Sequence, residues 1–255
     1  MSYLSDFDGR LLDDWQRSLP LVPQPFAVMA EALGATEAEV IARLAAMQAE
    51  GTVARVGATC RPNTVGVSTL AAIAAPDWQI EEMARIVGAE PGVNHSYLRE
   101  HDWNIWFVAT APDAAALAET LGRIEARTGL RVLNLPLKRA FNVDLGFRLT
   151  GPRHELRMGE AADTTAVQPG DRALLQALTE GLEITPAPYA ALAGRLGRDE
   201  SEVIERIGAL VAARIITRIG VIVRHRALGW RSNAMVVWRL PAAQIAAAGA
   251  ALVAH

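Results

Sequence analysis

Residues 95–107 read HSYLREHDWNIWF, and this stretch holds two of the chain's five histidines, a tyrosine, an arginine and two of its six tryptophans. An imidazole beside an arginine in apolar surroundings suits proton delivery to carbon, because its ordinary pKa of about 6.5 lies close to neutral pH. His95 and His101 are the candidate acids. If the segment is a pair of strands, alternate side chains share a face. His95, Tyr97 and Arg99 are then expected to point one way, Trp103, Ile105 and Phe107 to share a face of the next strand, and His101 to sit at the turn between them. The alternative is structural: surface or hydrogen-bonded histidines, with Trp106 and Phe107 as sheet core or subunit interface.

Basic residues gather at two further places. LKRAFN supplies Lys138 and Arg139, and the segment from Arg218 to Arg231 supplies Arg224, His225 and Arg226 with no acidic residue among them. Such groups serve as a solvated face, as a grip on phosphates, or as arginines that take carboxylates bidentately. Other chemistries lack their signatures: there is no GxxxxGK[ST] loop, no GxGxxG after a strand, no GxSxG elbow and no HExxH. His154 and His255 are assigned no role, and no metal site is expected.

The elements that must position these residues come from a duplication. At an offset of 163, residues 8–66 align without gaps on 171–229, pairing Asp8 with Asp171, Gly34 with Gly197 and Arg61 with Arg224. Each copy shows a short helix, a Pro-rich bend, a helix closed by Gly, and a capped helix starting after Thr36 or Asp199. An arm follows, VARVGATCR or ITRIGVIVRHR, so each copy reads as a winged helix-turn-helix. Downstream of the first arm the order becomes βαββαβ, the ferredoxin-like split unit. The expected fold class is α+β: winged helix-turn-helix plus ferredoxin-like module, duplicated, with the second copy truncated. The expected divisions are a winged unit at 1–66, a ferredoxin-like domain at 67–150, a linker at 151–170, a second winged unit at 171–230, and the start of a second ferredoxin-like domain at 231–255, where SNAMVVWRLP reads as its first strand.

Composition narrows the setting. With 255 residues and a net charge of −3, the chain has no global attraction for nucleic acid or acidic lipid. Its single cysteine excludes an internal disulfide and suits a reducing cytoplasm. MSYLSDFDGR lacks a signal-peptide pattern, and no apolar run is long enough to span a membrane.

The architecture resembles the AsnC/Lrp family of bacterial regulators over the whole chain. Within it, REHDWNIWF, PLKRAFNVDLGFRL and VIVRHRALGWRSNAMVVW, together with the duplication, are most similar to the sirohaem decarboxylases, which remove carboxyl groups from acetate side chains of sirohaem in haem d1 formation or the alternative haem route. The resemblance implies no organic cofactor, the iron being part of the substrate. It implies a homo-oligomer or a partner decarboxylase subunit, with catalysis from His101 or His95. Arg99, Tyr97, Trp103, Lys138, Arg139, Arg224 and His225 would hold the ring. A DNA-binding regulator and a non-catalytic tetrapyrrole sensor are the other readings.

The would-be recognition helices weigh against the regulator. TEAEVIARLAAMQAEG carries Glu37, Glu39 and Glu50 against Arg43 alone, and DESEVIERIGALVAAR sets four acids against Arg206 and Arg214. DNA affinity should be weak, non-specific and lost at moderate salt; a footprint on a defined operator at physiological ionic strength would reverse this ranking.

Overall fold

The computed structural model describes residues 4–138, 141, 161–229 and 235–253. In chain order the elements are α1 (Asp6–Asp13), α2 (Pro25–Leu33), α3 (Glu37–Ala49), β1 (Val53–Cys60), β2 (Val67–Ile73), α4 (Ile80–Gly88) and β3 (Val93–Leu98). There follow β4 (Ile105–Ala111), α5 (Ala114–Thr128), β5 (Leu133–Pro136), α6 (Asp171–Glu180), α7 (Pro188–Leu196), α8 (Glu200–Ala212), β6 (Ile216–Val223) and α9 (Ile245–Val253). Contacts divide the chain into two compact units, one from Met1–Arg61 with Phe141–His255, the other from Pro62–Ala140.

In the first unit the two repeats build one body. Their arms do not fold back as separate wings; β1 and β6 pair antiparallel, with Gly57 opposite Gly220. These glycines are counterparts in the duplication, so the ribbon has a local two-fold at its centre. A Cβ on Gly57 would lie 2.5 Å from the Leu178 carbonyl oxygen, and one on Gly220 would collide with that of Trp15. Leu178 and Trp15 are themselves counterparts, Leu178 in the last turn of α6 and Trp15 two residues beyond α1, each from the opposite copy. The crossing extends outward: the Leu19 N–H donates to the Ile219 carbonyl (3.0 Å), and the Leu182 N–H to that of Val56 (2.7 Å). Each copy thus satisfies backbone groups of the other.

Local signals explain the helices. Thr36 forms a capping box: its Oγ1 accepts the Glu39 N–H, while the Glu39 carboxylate accepts the Thr36 N–H. Asp199 occupies the equivalent N-cap of α8 but makes no side-chain capping bond. Gly34 and Gly197 end α2 and α7 in the left-handed region (φ 68° and 63°).

An ion pair on a buried aspartate ties helix one to helix three in each copy, with the arginine half-buried in the first copy and largely buried in the second. Arg43 bonds Asp8 through Nε (2.7 Å) and Nη2 (3.0 Å), and Arg206 bonds Asp171 at 2.8 and 2.5 Å. The arginine that might have met a phosphate on either helix is therefore engaged within the chain. Hydrogen bonds from Arg43 hold the Asp8 carboxyl below its ordinary range. Burial pushes Asp171 up, but the Arg206 guanidinium and the Gln168 N–H outweigh it and leave that carboxyl lowered as well.

The second unit is a four-stranded antiparallel sheet, ordered β3-β4-β2-β5, with α4 and α5 on one face. Its core is Ala71, Ile73, Ile105, Phe107 and Ala109 of the sheet against Met83, Ile86, Val87, Leu121 and Ile124 of the helices. This is the expected split βαβ order.

The expected strand in SNAMVVWRLP does not form among the described residues, where 235–240 lack strand pairing and Val236, Val237 and Trp238 are exposed. A strand is stable only against a partner edge. The helical turn and α9 that follow repeat the turn before α4 and α4 itself.

Asp171 is 1% exposed. Asp171→Ala should destabilise the chain by about 3 kcal/mol, by leaving Arg206 buried and unpaired, and Asp171→Ala with Arg206→Met should recover most of the loss in urea denaturation. Since the folded pKa of Asp171 is depressed, its contribution is complete above the ordinary carboxylate range and disappears as pH falls through the folded value. The single variant should accordingly lose less stability on acidification than the unsubstituted chain.

Candidate functional site

The segment singled out in the sequence is the hairpin β3–β4 with its connecting loop, 99–104. Tyr97 lies opposite Trp106, and the His95 backbone opposite Val108; the side chain of His95 is outside the described residues. The loop closes through the Arg99 N–H, which donates to the Asn104 carbonyl (2.8 Å). Trp103 belongs to this loop and not to β4, a correction to its expected place beside Ile105 and Phe107. Those two residues face the helices and are fully core, whereas Trp106 points to the opposite sheet face, on the side of Tyr97.

The cause of the shift is Asn104. Its Nδ2 donates to the Ala75 carbonyl (2.7 Å), its Oδ1 accepts the Ala75 N–H (2.9 Å), and its own N–H donates to the Ile73 carbonyl (3.2 Å). One buried amide ends the ladder, pins the loop to the end of β2, and leaves 100–103 outside the strands. Sequence reasoning missed this residue. Its available signal was an amide at the edge of an apolar run, a position that needs partners if buried.

Inside the loop, His101 is exposed, and its Nδ1 accepts the Trp103 N–H (3.1 Å). A neutral ring that accepts at Nδ1 carries its proton on Nε2. The Arg99 guanidinium stacks over Tyr97, 5.0 Å from the ring centroid, and Nη1 donates to the Leu98 carbonyl (3.3 Å). Its Nε is buried without a hydrogen-bond partner. Trp106, 7% exposed, donates its indole N–H to the Trp103 carbonyl (2.7 Å). The hairpin therefore brings Tyr97, Arg99, His101 and Trp103 together.

The other candidates are placed elsewhere. Lys138 is exposed, two residues beyond β5, at the sheet edge opposite β3. Three interstrand spacings, about 14 Å, separate those edges. β5 also runs toward the Val67 end of β2, whereas the loop lies at the Ile73 end. Lys138 and His101 thus occupy diagonal corners of this sheet. Arg139 is outside the described residues. Arg224 and His225 belong to the first unit: the Arg224 N–H donates to the Thr52 carbonyl (2.8 Å), and the His225 side chain is not among the described ones.

Burial pushes the Cys60 thiol up to about 11, away from the thiolate form that nucleophilic attack uses. Among the described residues no cluster of metal-ligating side chains occurs, and no helix is long and apolar enough to cross a membrane.

A paired helix-turn-helix body joined to a βαββαβ sheet defines an AsnC-like architecture. Residues 8–53 and 171–216 match the family model described as "Siroheme decarboxylase NirDL-like HTH domain", and residues 64–142 match the "AsnC-like ligand binding domain". The chain is 64% identical over 249 residues to the siroheme decarboxylase NirDL subunit of Paracoccus denitrificans (strain Pd 1222), covering 98% of this chain and 77% of that one. It is 62% identical to the corresponding subunit of Paracoccus pantotrophus, again with 98% and 77% covered. The NirD subunit of Stutzerimonas stutzeri is 46% identical over 150 residues, 59% of this chain and 99% of that one. The chain belongs to the NirDL-like siroheme decarboxylase family. A crystal structure of the siroheme decarboxylase NirDL superposes with TM-score 0.63 at 25% identity, covering 86% of this chain and 65% of the other. A second, in co-complex with an iron-uroporphyrin III analogue, shares the fold with TM-score 0.67, covering 95% and 71%.

Asn104→Ala should cost about 2 kcal/mol, because the Ala75 N–H and carbonyl lose their partner inside the protein. Denaturant unfolding should show this loss together with faster amide exchange at Ala75.

Proposed function

We propose that this chain is a sirohaem decarboxylase that removes carboxyl groups from acetate side chains of sirohaem to give didecarboxysirohaem, in haem d1 or alternative haem formation. The observation that carries the reading is the match, at 64% identity over nearly the whole chain, to a subunit named for that reaction. The hairpin supports it chemically. Breaking the bond between methylene and carboxylate releases carbon dioxide and leaves an electron pair on carbon, which the conjugated ring takes up until a proton arrives. His101 stands in an exposed loop, where as the imidazolium it would give a proton to the methylene carbon and regain one from solvent; its Nδ1 accepts the Trp103 N–H only in the neutral ring, so that bond opens when the acid form is made. Arg99 offers a guanidinium stacked over Tyr97, suited to a carboxylate that stays. Tyr97 supplies aromatic surface against it and Trp103 further aromatic surface in the same loop, and His95, two residues before Tyr97 on β3, is the alternative donor. The iron arrives as part of the substrate.

Lys138, Arg139, Arg224 and His225 are proposed to bind further carboxylates. Because Lys138 and the loop lie at opposite corners of one sheet, a single ring meets both types of residue only if it extends across the sheet or is shared with a second sheet. A homo-oligomer or a partner decarboxylase subunit would provide that second sheet; relatives of this chain are named as NirD and NirG subunits. The residues are proposed to act in a cytoplasmic protein. The regulator reading is disfavoured by the pairing of Arg43 and Arg206 with Asp8 and Asp171.

The test is anaerobic incubation of sirohaem with the protein, alone and with candidate partner subunits, followed by mass spectrometry. Loss of one or two carboxyl groups supports the reading; an unchanged mass with a complete partner set, or a spectral change without carbon dioxide release, removes it. His101→Ala should slow turnover roughly a hundredfold with sirohaem affinity nearly intact. Arg99→Ala should lower affinity and rate together, by about 1.5 to 3 kcal/mol in binding.

A further inference from the structure

We propose that Tyr97 is a positioning residue for Arg99: its ring face holds the guanidinium so that the Nη1–Nη2 edge, and not Nε, meets a carboxylate of the macrocycle end-on. This rests on the role proposed above for Arg99. Residues two apart on a strand fall on one face of the sheet, and the bond from the Arg99 N–H to the Asn104 carbonyl carries the pairing one residue past β3, so the alternation is kept. The guanidinium carbon then lies 5.0 Å from the Tyr97 ring centroid. Nη1 donates to the Leu98 carbonyl (3.3 Å), and Nε is buried without a hydrogen-bond partner. A buried Nε has nothing to offer a ligand. Each terminal nitrogen carries two hydrogens, so Nη1 keeps one after its bond to Leu98 and Nη2 brings two more. These suffice for the two parallel bonds of a bidentate carboxylate.

Other arginines of the chain are held differently. Arg43, Arg206, Arg123 and Arg127 each hold one of its own carboxylates. Among the described residues Arg99 holds none, although Glu100 and Asp102 follow it in the loop, and an aromatic face takes the place of an acid. The difference matters for recognition. A carboxylate partner would occupy the fork, whereas a ring orients the guanidinium from above its plane and leaves the in-plane donors open. Tyr97 has a firm neighbour in turn: it lies opposite Trp106, which is 7% exposed and donates its indole N–H to the Trp103 carbonyl. Order thus passes from β4 to Tyr97, and from Tyr97 to a guanidinium that would otherwise sample many rotamers at the surface.

The experiment compares the full chain, labelled with nitrogen-15, with Tyr97→Phe, Tyr97→Leu, Arg99→Ala and the double variant Tyr97→Leu with Arg99→Ala. Without substrate, the Nε–H resonance of Arg99 reports the stack, since a ring beneath the guanidinium shifts that proton upfield. It should stay upfield in Tyr97→Phe and move downfield in Tyr97→Leu, while the amide spectrum shows that each variant is folded. Sirohaem affinity, read from its absorbance change, should fall roughly three- to fivefold in Tyr97→Leu, the scale of an exposed cation–π contact, and little in Tyr97→Phe. In the Arg99→Ala background the same Tyr97→Leu change should leave affinity unaltered, because its effect runs through the guanidinium. Equal losses in both backgrounds mean that Tyr97 meets the macrocycle itself, and overturn the proposal; so does an Arg99 resonance indifferent to Tyr97→Leu. If the unsubstituted chain binds no sirohaem with a complete partner set, the decarboxylase reading fails separately, while the Arg99 resonance still decides whether Tyr97 sets the guanidinium.

Discussion

Two glycines facing each other across an antiparallel ribbon govern the first unit. At Gly57 and Gly220 a carbonyl from the opposite copy sits where a Cβ would be, so the crossing tolerates no other residue without backbone movement. The consequence is more than close packing. Because the carbonyls belong to Trp15 and Leu178, each copy's first helix must end over the other copy's strand, and neither copy has a complete sheet alone. The Asp–Arg pairs then lock helix one to helix three within each copy, so the cross-copy contact and the within-copy contact share the same short helices.

The site hairpin rests on a smaller device of the same kind. A single amide, Asn104, ends one strand and fastens a loop whose exposed residues include His101, the proposed proton donor. Hydrogen bonds there determine where protons reside: His101 accepts at Nδ1, Trp106 donates to the loop, and Arg99 retains an unbonded N–H. Rigid elements thus present reactive groups on a segment that is itself short and polar.

Much of the fold was legible in the sequence because it was written in periodicity. Helical spacing after Thr36 and Asp199, glycines at 34 and 197, and the strand–helix alternation after Val67 each have a local physical cause. The family, too, was legible, from REHDWNIWF and the repeat. What the sequence did not display was partnership. The β1–β6 pairing is a long-range choice between two arms that look like separate wings, and the position of Trp103 depended on a bond between Asn104 and Ala75, 29 residues away. The candidate residues divided for the same reason: Tyr97, Arg99, His101 and Trp103 were neighbours in sequence and remain so, whereas Lys138 depended on strand order, which alternation alone does not reveal.

The ribbon also bears on how the chain is made. Thr59 and Thr217, hydrogen-bonded across it, are 158 residues apart, so the first helix-turn-helix leaves the ribosome with an unpaired strand and must wait while the whole βαββαβ sheet is synthesised. At elongation speeds of roughly 5–20 residues per second, that delay is on the order of ten seconds or more. During it the sheet, whose contacts are comparatively local, can fold, while β1 waits with its edge open for a strand that does not yet exist. The duplication therefore converts what would be a concentration-dependent meeting of two subunits into a timed event within one nascent chain, governed by translation and no longer by diffusion.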